Sequence, residues 1–211
     1  MQIYTGTCGG DKLNYIKKYK MGIMISPSAV PPRKEFAKFP CALDNGAFQL
    51  YKKGYPFIEN AFMETLETCY SCGIKLDFIV CPDVVEGGED SLDFSIKWAR
   101  TKLKTAPRLA LVVQDGMKPK MIDAYVLSLF SMLFVGGSVA WKWKTANRWV
   151  KFAHENKKKI HIGQVGRERY LNFCEHIKVD SVDSTNFARN DAWSVIERFQ
   201  KKRAVSLLTE R

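Results

Sequence analysis

One pattern recurs along the chain: a short run of β-branched or apolar residues ends in small or polar residues, and an amphipathic segment follows it. Apolar runs bounded in this way are typical of β-strands. Eight strands are predicted, over residues 2–6, 22–26, 41–45, 76–83, 108–116, 132–137, 159–166 and 179–185.

The amphipathic segments between these runs have helical spacing. In residues 90–105, for example, Leu92, Ile96 and Leu103 fall on one face, and Asp90 can cap the start. Eight helices are predicted, over roughly 10–20, 33–38, 57–72, 90–105, 119–130, 142–156, 167–176 and 191–200.

Eight strands alternating with eight helices favour a parallel sheet closed into a compact α/β (β/α)8 TIM barrel, with residues 1–211 forming one domain. An open doubly wound sheet is the alternative, although it usually needs fewer strands. No G-x-G-x-x-G motif follows the first strand, and the Gly-rich residues 6–11 have the wrong spacing. We therefore expect no dinucleotide and no other cofactor.

The charge balance is strongly basic. Lys and Arg number 33 against 22 Asp and Glu, which gives a net charge of +11. Such a charge indicates an acidic partner, most commonly a nucleic-acid backbone, and solubility is the alternative explanation. Five Trp and thirteen Phe also supply rings on which bases can stack. No apolar run reaches the ~18 residues of a membrane span, and the first residues lack the pattern of a signal peptide, so we expect a cytoplasmic protein without membrane contact.

The six cysteines are expected to be reduced thiols in that compartment. Cys69 and Cys72 form a C-x-x-C pair, but a zinc site needs a second pair of ligands at usable spacing. None of the three histidines completes such a set with a nearby cysteine. Both thiols also lie on a helical pattern, so we predict a buried thiol pair and no bound metal.

The predicted strand ends carry the candidate chemistry, because active sites of such barrels lie at the carboxyl ends of the strands. The residues at these ends are Asp44, Asp83, Gln114, Gly136 with Gly137, and Asp183. Glycine N–H groups can approach a ligand carbonyl, and an aspartate with a glutamine can recognise the edge of a flat heterocycle. Another aspartate can be a nucleophile or base. Each residue alone is explained by turn chemistry, but their shared rim predicts a catalytic site.

Strand parity distinguishes the two aspartates of the last strand. Val179, Ser181 and Asp183 share one face, whereas Asp180 and Val182 share the other. Asp183 stands at the carboxyl end, where chemistry is expected. Asp180 lies nearly a strand length earlier, so we expect it to face the helices or to cap a neighbouring element.

Four segments resemble motifs of the tRNA-guanine transglycosylase superfamily, and the similarity runs from about residue 40 to residue 191. "DNGAFQ" at 44–49 resembles D-S-G-G-F-Q, and "LVVQDG" at 111–116 resembles I-V-Q-G-G. "FVGGSV" at 134–139 is similar to I-G-G-L-A-V. "VDSVDSTNFARN" at 179–190 resembles V-D-M-F-D-C-V-x-P-T-R-N-A-R-N, shortened in its middle. Four motifs in the family's order make the resemblance fairly specific.

The resemblance implies a role for each matched residue. Asp183 would be the nucleophile that attacks C1′ of a guanosine and forms a covalent glycosyl-enzyme, and Asp44 would be the general base toward the incoming base. The remaining matches would hold the guanine: Asp83 and Gln114 at its edge, Gly136 and Gly137 through backbone donors, and Phe48 by stacking. The implied enzyme is a glycosyltransferase of the pentosyltransferase type. A carboxylate near C1′ suits the oxocarbenium-like transition state of that reaction.

The departures from the family favour a particular nucleic acid. Asn45 and Ala47 replace Ser and Gly, the Pro-Thr-Arg segment is altered, and no Cys/His zinc module follows the barrel. The compact relatives of phages and bacterial modification clusters, which exchange guanine in DNA for a 7-deazaguanine such as preQ0, fit these features better than the tRNA enzymes. We therefore expect DNA rather than tRNA as the partner, together with a free 7-deazaguanine base.

Lysines after the sixth strand are expected to bind the phosphates. Lys142 and Lys144 are favoured over the lysine run 157–159, which is expected at a helix end on the bottom of the barrel. The target nucleotide must be flipped or single-stranded, because a duplex hides C1′. Three alternatives to DNA base exchange stay open: a tRNA-guanine transglycosylase, a hydrolase that releases the base to water, and a barrel that binds nucleic acid without catalysis. A phosphosugar enzyme would need a Gly-rich phosphate loop before the last helix, and none is found.

Overall fold

The computed structural model describes the backbone of residues 1–209 and the side chains of residues 1–204. Eight parallel strands in this range close into a barrel in sequence order, which confirms the predicted (β/α)8 fold. The strands are β1 (Gln2–Gly6), β2 (Gly22–Ile25), β3 (Cys41–Leu43), β4 (Leu76–Val80), β5 (Leu109–Val113), β6 (Met132–Val135), β7 (Lys159–Ile162) and β8 (Ser181–Ser184). The predicted first strand is confirmed, because β1 pairs with both β2 and β8.

Helices surround the barrel and connect successive strands. They are α1 (Lys12–Lys18), α2 (Ala47–Lys52), α3 (Glu59–Ser71), α4 (Gly88–Arg100), α5 (Ala124–Leu129), α6 (Val139–Glu155), α7 (Glu168–His176), α8 (Asn186–Arg189) and α9 (Trp193–Thr209). Two 3-10 helices, Lys34–Lys38 and Pro119–Met121, lie between them.

Two helices begin at residues other than those predicted, because a side chain caps the N-terminus of each. The helix predicted over 119–130 is divided, because the Asp123 side chain accepts a hydrogen bond from the Val126 N–H at 2.8 Å and starts α5 separately. The helix predicted from residue 142 begins three residues earlier, since Ser138 caps α6. Short helices α2 and α8 were not predicted, and both follow the carboxyl ends of strands directly.

Two apolar clusters fill the barrel and its surroundings, as the alternation of side chains along each strand requires. The cluster inside the barrel contains Tyr4, Met24, Ala42, Phe78, Val80, Ala110, Val112, Met132 and Phe134. The larger cluster lies between strands and helices and includes Leu43, Leu111 and Val182. Full burial of a leucine such as Leu111 stabilises the fold by ~1.5–3 kcal/mol. The interior is therefore packed, and only its ends leave room for a ligand.

The C-x-x-C pair lies at the end of α3. Cys69 is fully buried, whereas Cys72 is half-buried with its Sγ 3.8 Å from the Pro32 carbonyl oxygen. Within residues 1–209, no group of three or more His, Cys, Asp or Glu side chains is arranged to hold a metal ion. No helix in the same part of the chain is both long and apolar enough to cross a membrane.

Asp180 connects elements at the bottom of the barrel, which confirms its predicted capping position. Its Oδ2 accepts the Ile160 N–H at 2.8 Å and lies 3.1 Å from Nε2 of His154 on α6. Its backbone carbonyl accepts the Gln2 N–H at 2.9 Å. The lysine run is also at this end, where Lys157 and Lys159 line the bottom opening.

We predict that Asp180→Asn lowers the free energy of unfolding by about 1 kcal/mol, because a neutral amide replaces the charge-assisted bond to Ile160. Asp93→Asn is the control, since Asp93 is exposed on α4, and it should change stability by less than ~0.5 kcal/mol. Urea denaturation of the two variants measures the difference. Equal stability of both would contradict a capping role for Asp180.

Candidate functional site

A pocket of about 350 Å³ opens at the carboxyl ends of the strands. Every residue that the sequence predicted for catalysis or base binding lines it: Asp44, Phe48, Asp83, Gln114, Gly136, Gly137 and Asp183. Closure of the barrel brings these residues together, although they span about 140 positions of the sequence. A pocket of this volume suits one flat heterocycle with part of its sugar.

Asp83 is held rigidly on the β4 side of the pocket. Its two oxygens accept hydrogen bonds from Asn45 Nδ2 at 2.7 Å and from Gln114 Nε2 at 2.9 Å. Burial raises the pKa of Asp83 to about 6, although both amide donors act in the opposite direction. The carboxylate is therefore ionised at neutral pH and can accept further hydrogen bonds from a ligand.

The hydrogen-bonding atoms of the Gln114 side chain already have partners within the protein. Its Oε1 accepts the Glu86 N–H at 2.6 Å, and its Nε2 contacts the Val84 carbonyl oxygen at 2.8 Å and Ser91 Oγ at 2.7 Å, in addition to Asp83. The side chain is only 1% exposed. Gln114 thus fixes Asp83 and the loop after it. Direct recognition of a base by Gln114 would require one of these bonds to break.

The two glycines after β6 differ in what they offer a ligand. The Gly136 N–H donates to the Val113 carbonyl at 2.9 Å and so extends the strand pairing. The Gly137 N–H has no partner within the described residues. Gly137 has a φ of 74°, and a Cβ there would lie 2.5 Å from Asp115 Oδ2, so glycine is required. Of the predicted pair of donors, only Gly137 presents a free one.

Asp44 has the properties of a proton carrier at neutral pH. Burial raises its pKa to about 7, and the nearby carboxylates of Asp183 and Asp83 add to the effect, while the N–H groups of Gly46 and Asn45 oppose it. A carboxyl group whose pKa lies near the working pH can both donate and accept a proton during a reaction. This environment is compatible with the general-base role that the resemblance implies for Asp44.

Asp183 is tethered by a histidine that sequence reasoning did not select. Its Oδ1 lies 3.0 Å from His161 Nε2 and accepts the Gln164 N–H at 3.3 Å. His161 is fully buried on β7, and its Nδ1 lies 2.9 Å from Ser181 Oγ. The signal for His161 was strand parity, because alternation places His161 and Gly163 on the inner face of β7.

Lys142 corrects one prediction. Instead of reaching surface phosphates, it is 2% exposed and donates its Nζ hydrogen to the Gly163 carbonyl at 2.6 Å. The first turn of α6 points this side chain into the pocket. Burial lowers its pKa to about 8, and the charge of Asp183 opposes that shift. Lys144 is exposed on the same helix but does not line the pocket.

Two other cations stand at the mouth of the pocket. Lys52, at the end of α2, has its Nζ 4.7 Å from the centre of the Phe48 ring, and Arg189 ends α8. Both side chains are exposed and line the pocket. They lie on the two short helices that the hydrophobic pattern did not predict, so no pattern in the sequence pointed to them.

Comparisons with known proteins add no assignment. The chain matches no protein-family model and none of the curated proteins at a significant level. The chemistry of the pocket therefore carries the functional argument.

We predict that Asp44→Asn stabilises the protein in a pH-dependent way. Because the pKa rises from 3.8 to about 7 on folding, the folded state binds more protons than the unfolded state between pH 4 and 7. The free energy of unfolding should therefore fall as pH rises through this window. The substitution removes this loss, so the free energy of unfolding of the variant should exceed that of the wild type by on the order of 4 kcal/mol at pH 8.

Denaturation of both proteins at several pH values tests this expectation. The gain should fall below about 1 kcal/mol at pH 4 and vanish below about pH 3, where the wild-type carboxyl is protonated in both states. A gain that is constant with pH would show that Asp44 does not carry the raised pKa.

Proposed function

We propose that the protein is a base-exchange transglycosylase that replaces guanine in nucleic acid, with DNA favoured over tRNA, by a 7-deazaguanine base. The observation that carries the proposal is the presence of three aspartates with three different environments in one base-sized pocket: Asp183, Asp44 and Asp83. Each environment suits a different step of glycosyl transfer. The motifs that resemble the transglycosylase superfamily supply the same three residues.

In the first step, an Asp183 oxygen forms a bond to C1′ while the bond between C1′ and N9 of guanine breaks. The electron pair of that bond leaves with the base. The sugar passes through an oxocarbenium-like state, which a nearby carboxylate stabilises and then traps as an ester. This use accounts for a partly buried carboxylate at the carboxyl end of β8, where burial without a purpose is costly.

The base is held by groups of matching polarity. The ionised Asp83 accepts hydrogen bonds from the N–H groups along one edge of guanine, and the Gly137 N–H donates to its carbonyl oxygen. Phe48 offers a ring for stacking at the side of the pocket. Donors at the carbonyl also offset the negative charge that builds up on the departing base.

Asp44 moves the proton that the exchange requires. In its protonated form it gives a proton to the departing guanine, and as a carboxylate it takes one from the incoming 7-deazaguanine, whose ring nitrogen then attacks C1′ and releases Asp183. The carboxyl group returns to its starting state after one cycle. A pKa of about 7 makes both forms available at neutral pH.

The positive charge of the chain supports a nucleic-acid substrate. The net charge is +11, and Lys52 and Arg189 stand where phosphates beside a flipped nucleotide would pass. A hydrolase using the same pocket would release guanine without inserting another base, so product analysis distinguishes the two reactions.

We expect DNA incubated with the protein and preQ0 to lose deoxyguanosine and to gain the matching 7-deazadeoxyguanosine, as measured by mass spectrometry of the digested nucleosides. Asp183→Asn should reduce the exchange by at least ~10³-fold, because the amide cannot trap the sugar. Asp180→Asn, in the same strand segment, should keep nearly full activity. Incorporation into tRNA alone would change the substrate, and guanine release without incorporation would favour the hydrolase.

Salt should weaken nucleic-acid binding steeply. Replacing both Lys52 and Arg189 by Ala should reduce the slope of log K against log salt concentration by about 1.5, since each phosphate contact contributes ~0.7–0.9. Arg108→Ala with Lys159→Ala is a control of equal charge change at the bottom opening. The same loss of slope in both double variants would show that net charge, rather than the mouth of the pocket, governs binding.

A further inference from the structure

A buried histidine beside the proposed nucleophile has no part in the reaction as described so far. His161 is fully buried inside the barrel and connects Ser181 to Asp183 through its two ring nitrogens, at 2.9 Å and 3.0 Å. A buried imidazole with both nitrogens engaged is fixed in place and in tautomer. Its orientation therefore bears on what Asp183 can do.

Ser181, His161 and Asp183 form a hydrogen-bonded series with the residue types of a serine-hydrolase triad. Here, however, the carboxylate rather than the serine hydroxyl is the group at the pocket. Asp183 is the member that lines the pocket at the rim. Ser181 lies two residues earlier on β8, is 6% exposed and faces the bottom opening. No substrate in the pocket can meet the hydroxyl, so the group that the chain serves is the carboxylate.

Three aromatic side chains hold the imidazole in position. The Phe134 ring stacks on it with centroids 4.7 Å apart and an angle of 19°. The rings of Phe78 and Tyr4 have their centroids 5.2 Å and 6.0 Å from it. Rotation of the histidine would disturb this packing, so its N–H direction is set before any substrate binds.

The two oxygens of Asp183 are not equivalent. Oδ1 contacts His161 Nε2 and accepts the Gln164 N–H, whereas Oδ2 has no hydrogen-bond donor within the described part of the chain. An oxygen without donors keeps its lone pairs free for bond formation. Oδ2 is consequently the better nucleophile, and Oδ1 is suited to become the carbonyl oxygen of the ester.

We propose that His161 is the positioning residue of Asp183 and sets Oδ2 as the attacking oxygen, an inference that rests on the proposed function. The Ser181 hydroxyl donates to Nδ1, which leaves the ring proton on Nε2, and Nε2–H donates to Oδ1. When Oδ2 bonds to C1′ and the base departs, Oδ1 keeps both donors. His161 neither gains nor loses a proton in the step.

Kinetics of the covalent step test this role. At saturating DNA, His161→Leu should slow formation of the protein–DNA adduct by roughly 10- to 100-fold. Losses of activity of this size are typical when a residue that orients a functional group through a hydrogen bond is replaced. The Kd for DNA should stay within about twofold of the wild type, because His161 does not line the pocket. His161→Gln should recover most of the rate, since the amide of glutamine can donate from the place of Nε2.

His154 supplies a matched control. Its Nε2 lies 3.1 Å from Asp180 Oδ2 at the bottom of the barrel, so the side chains of residues 1–204 include two His–Asp contacts of similar length. His154→Leu should leave the adduct rate unchanged. An adduct rate for His161→Leu equal to that of the wild type would overturn the proposal. So would a rate for His161→Gln as low as that for His161→Leu, because packing rather than the donor would then be responsible.

The state of the ring can be measured without any substrate. Nitrogen-15 NMR of the imidazole at about pH 7 should show His161 with a proton on Nε2 and none on Nδ1. The His161→Gln variant identifies the signal among the three histidines. A proton on Nδ1, or on both nitrogens, would overturn the assignment. If the wild type formed no adduct with any nucleic acid, both the proposed function and the role of His161 in it would be wrong. The NMR result would still show which ring nitrogen of His161 carries the proton.

Discussion

The pairing of β1 with β8 is the constraint on which the site depends. These strands are neighbours in register, with Tyr4 opposite Asp183, and their pairing closes the sheet. Closure leaves no strand edge, and it directs all eight carboxyl ends to one rim. Residues that are far apart in sequence, such as Asp44 and Asp183, therefore share a pocket without any dedicated contact between their loops.

Burial at that rim then gives the three aspartates different properties. Asp83 is deeply buried but has two amide donors, so it stays an acceptor. Burial raises the pKa of Asp44 to about 7, and the two other carboxylates add to the effect. Asp183 is restrained through one oxygen only. One residue type can thus supply the recognition, proton transfer and nucleophile that the proposed function requires, because burial, neighbouring charges and hydrogen bonds differ around each carboxylate.

Strand periodicity and the rule of the carboxyl rim were sufficient to predict the barrel and six residues of its pocket, whereas Phe48 was selected through the family resemblance. The sequence could not show which polar groups are already occupied: Gln114 and the Gly136 N–H are bonded within the protein, and a linear pattern contains no record of such partners. Lys142 was misplaced for a related reason, since the start of α6 depends on the Ser138 cap, and that start turns the side chain inward. His161 was overlooked because strand parity places it inside the barrel but does not reveal its contact with Asp183.

The proposed reaction requires Asp183 to become covalently bonded to a sugar. Trypsin should release residues 179–189 as one peptide, which contains both Asp180 and Asp183. The most direct measurement is therefore fragmentation mass spectrometry of this peptide, after the protein has been quenched during reaction with a short guanine-containing oligonucleotide and no second base. We expect a nucleotide adduct on Asp183 and an unmodified Asp180. An adduct on Asp180, on Asp44 or on no aspartate, while base exchange proceeds, would contradict it.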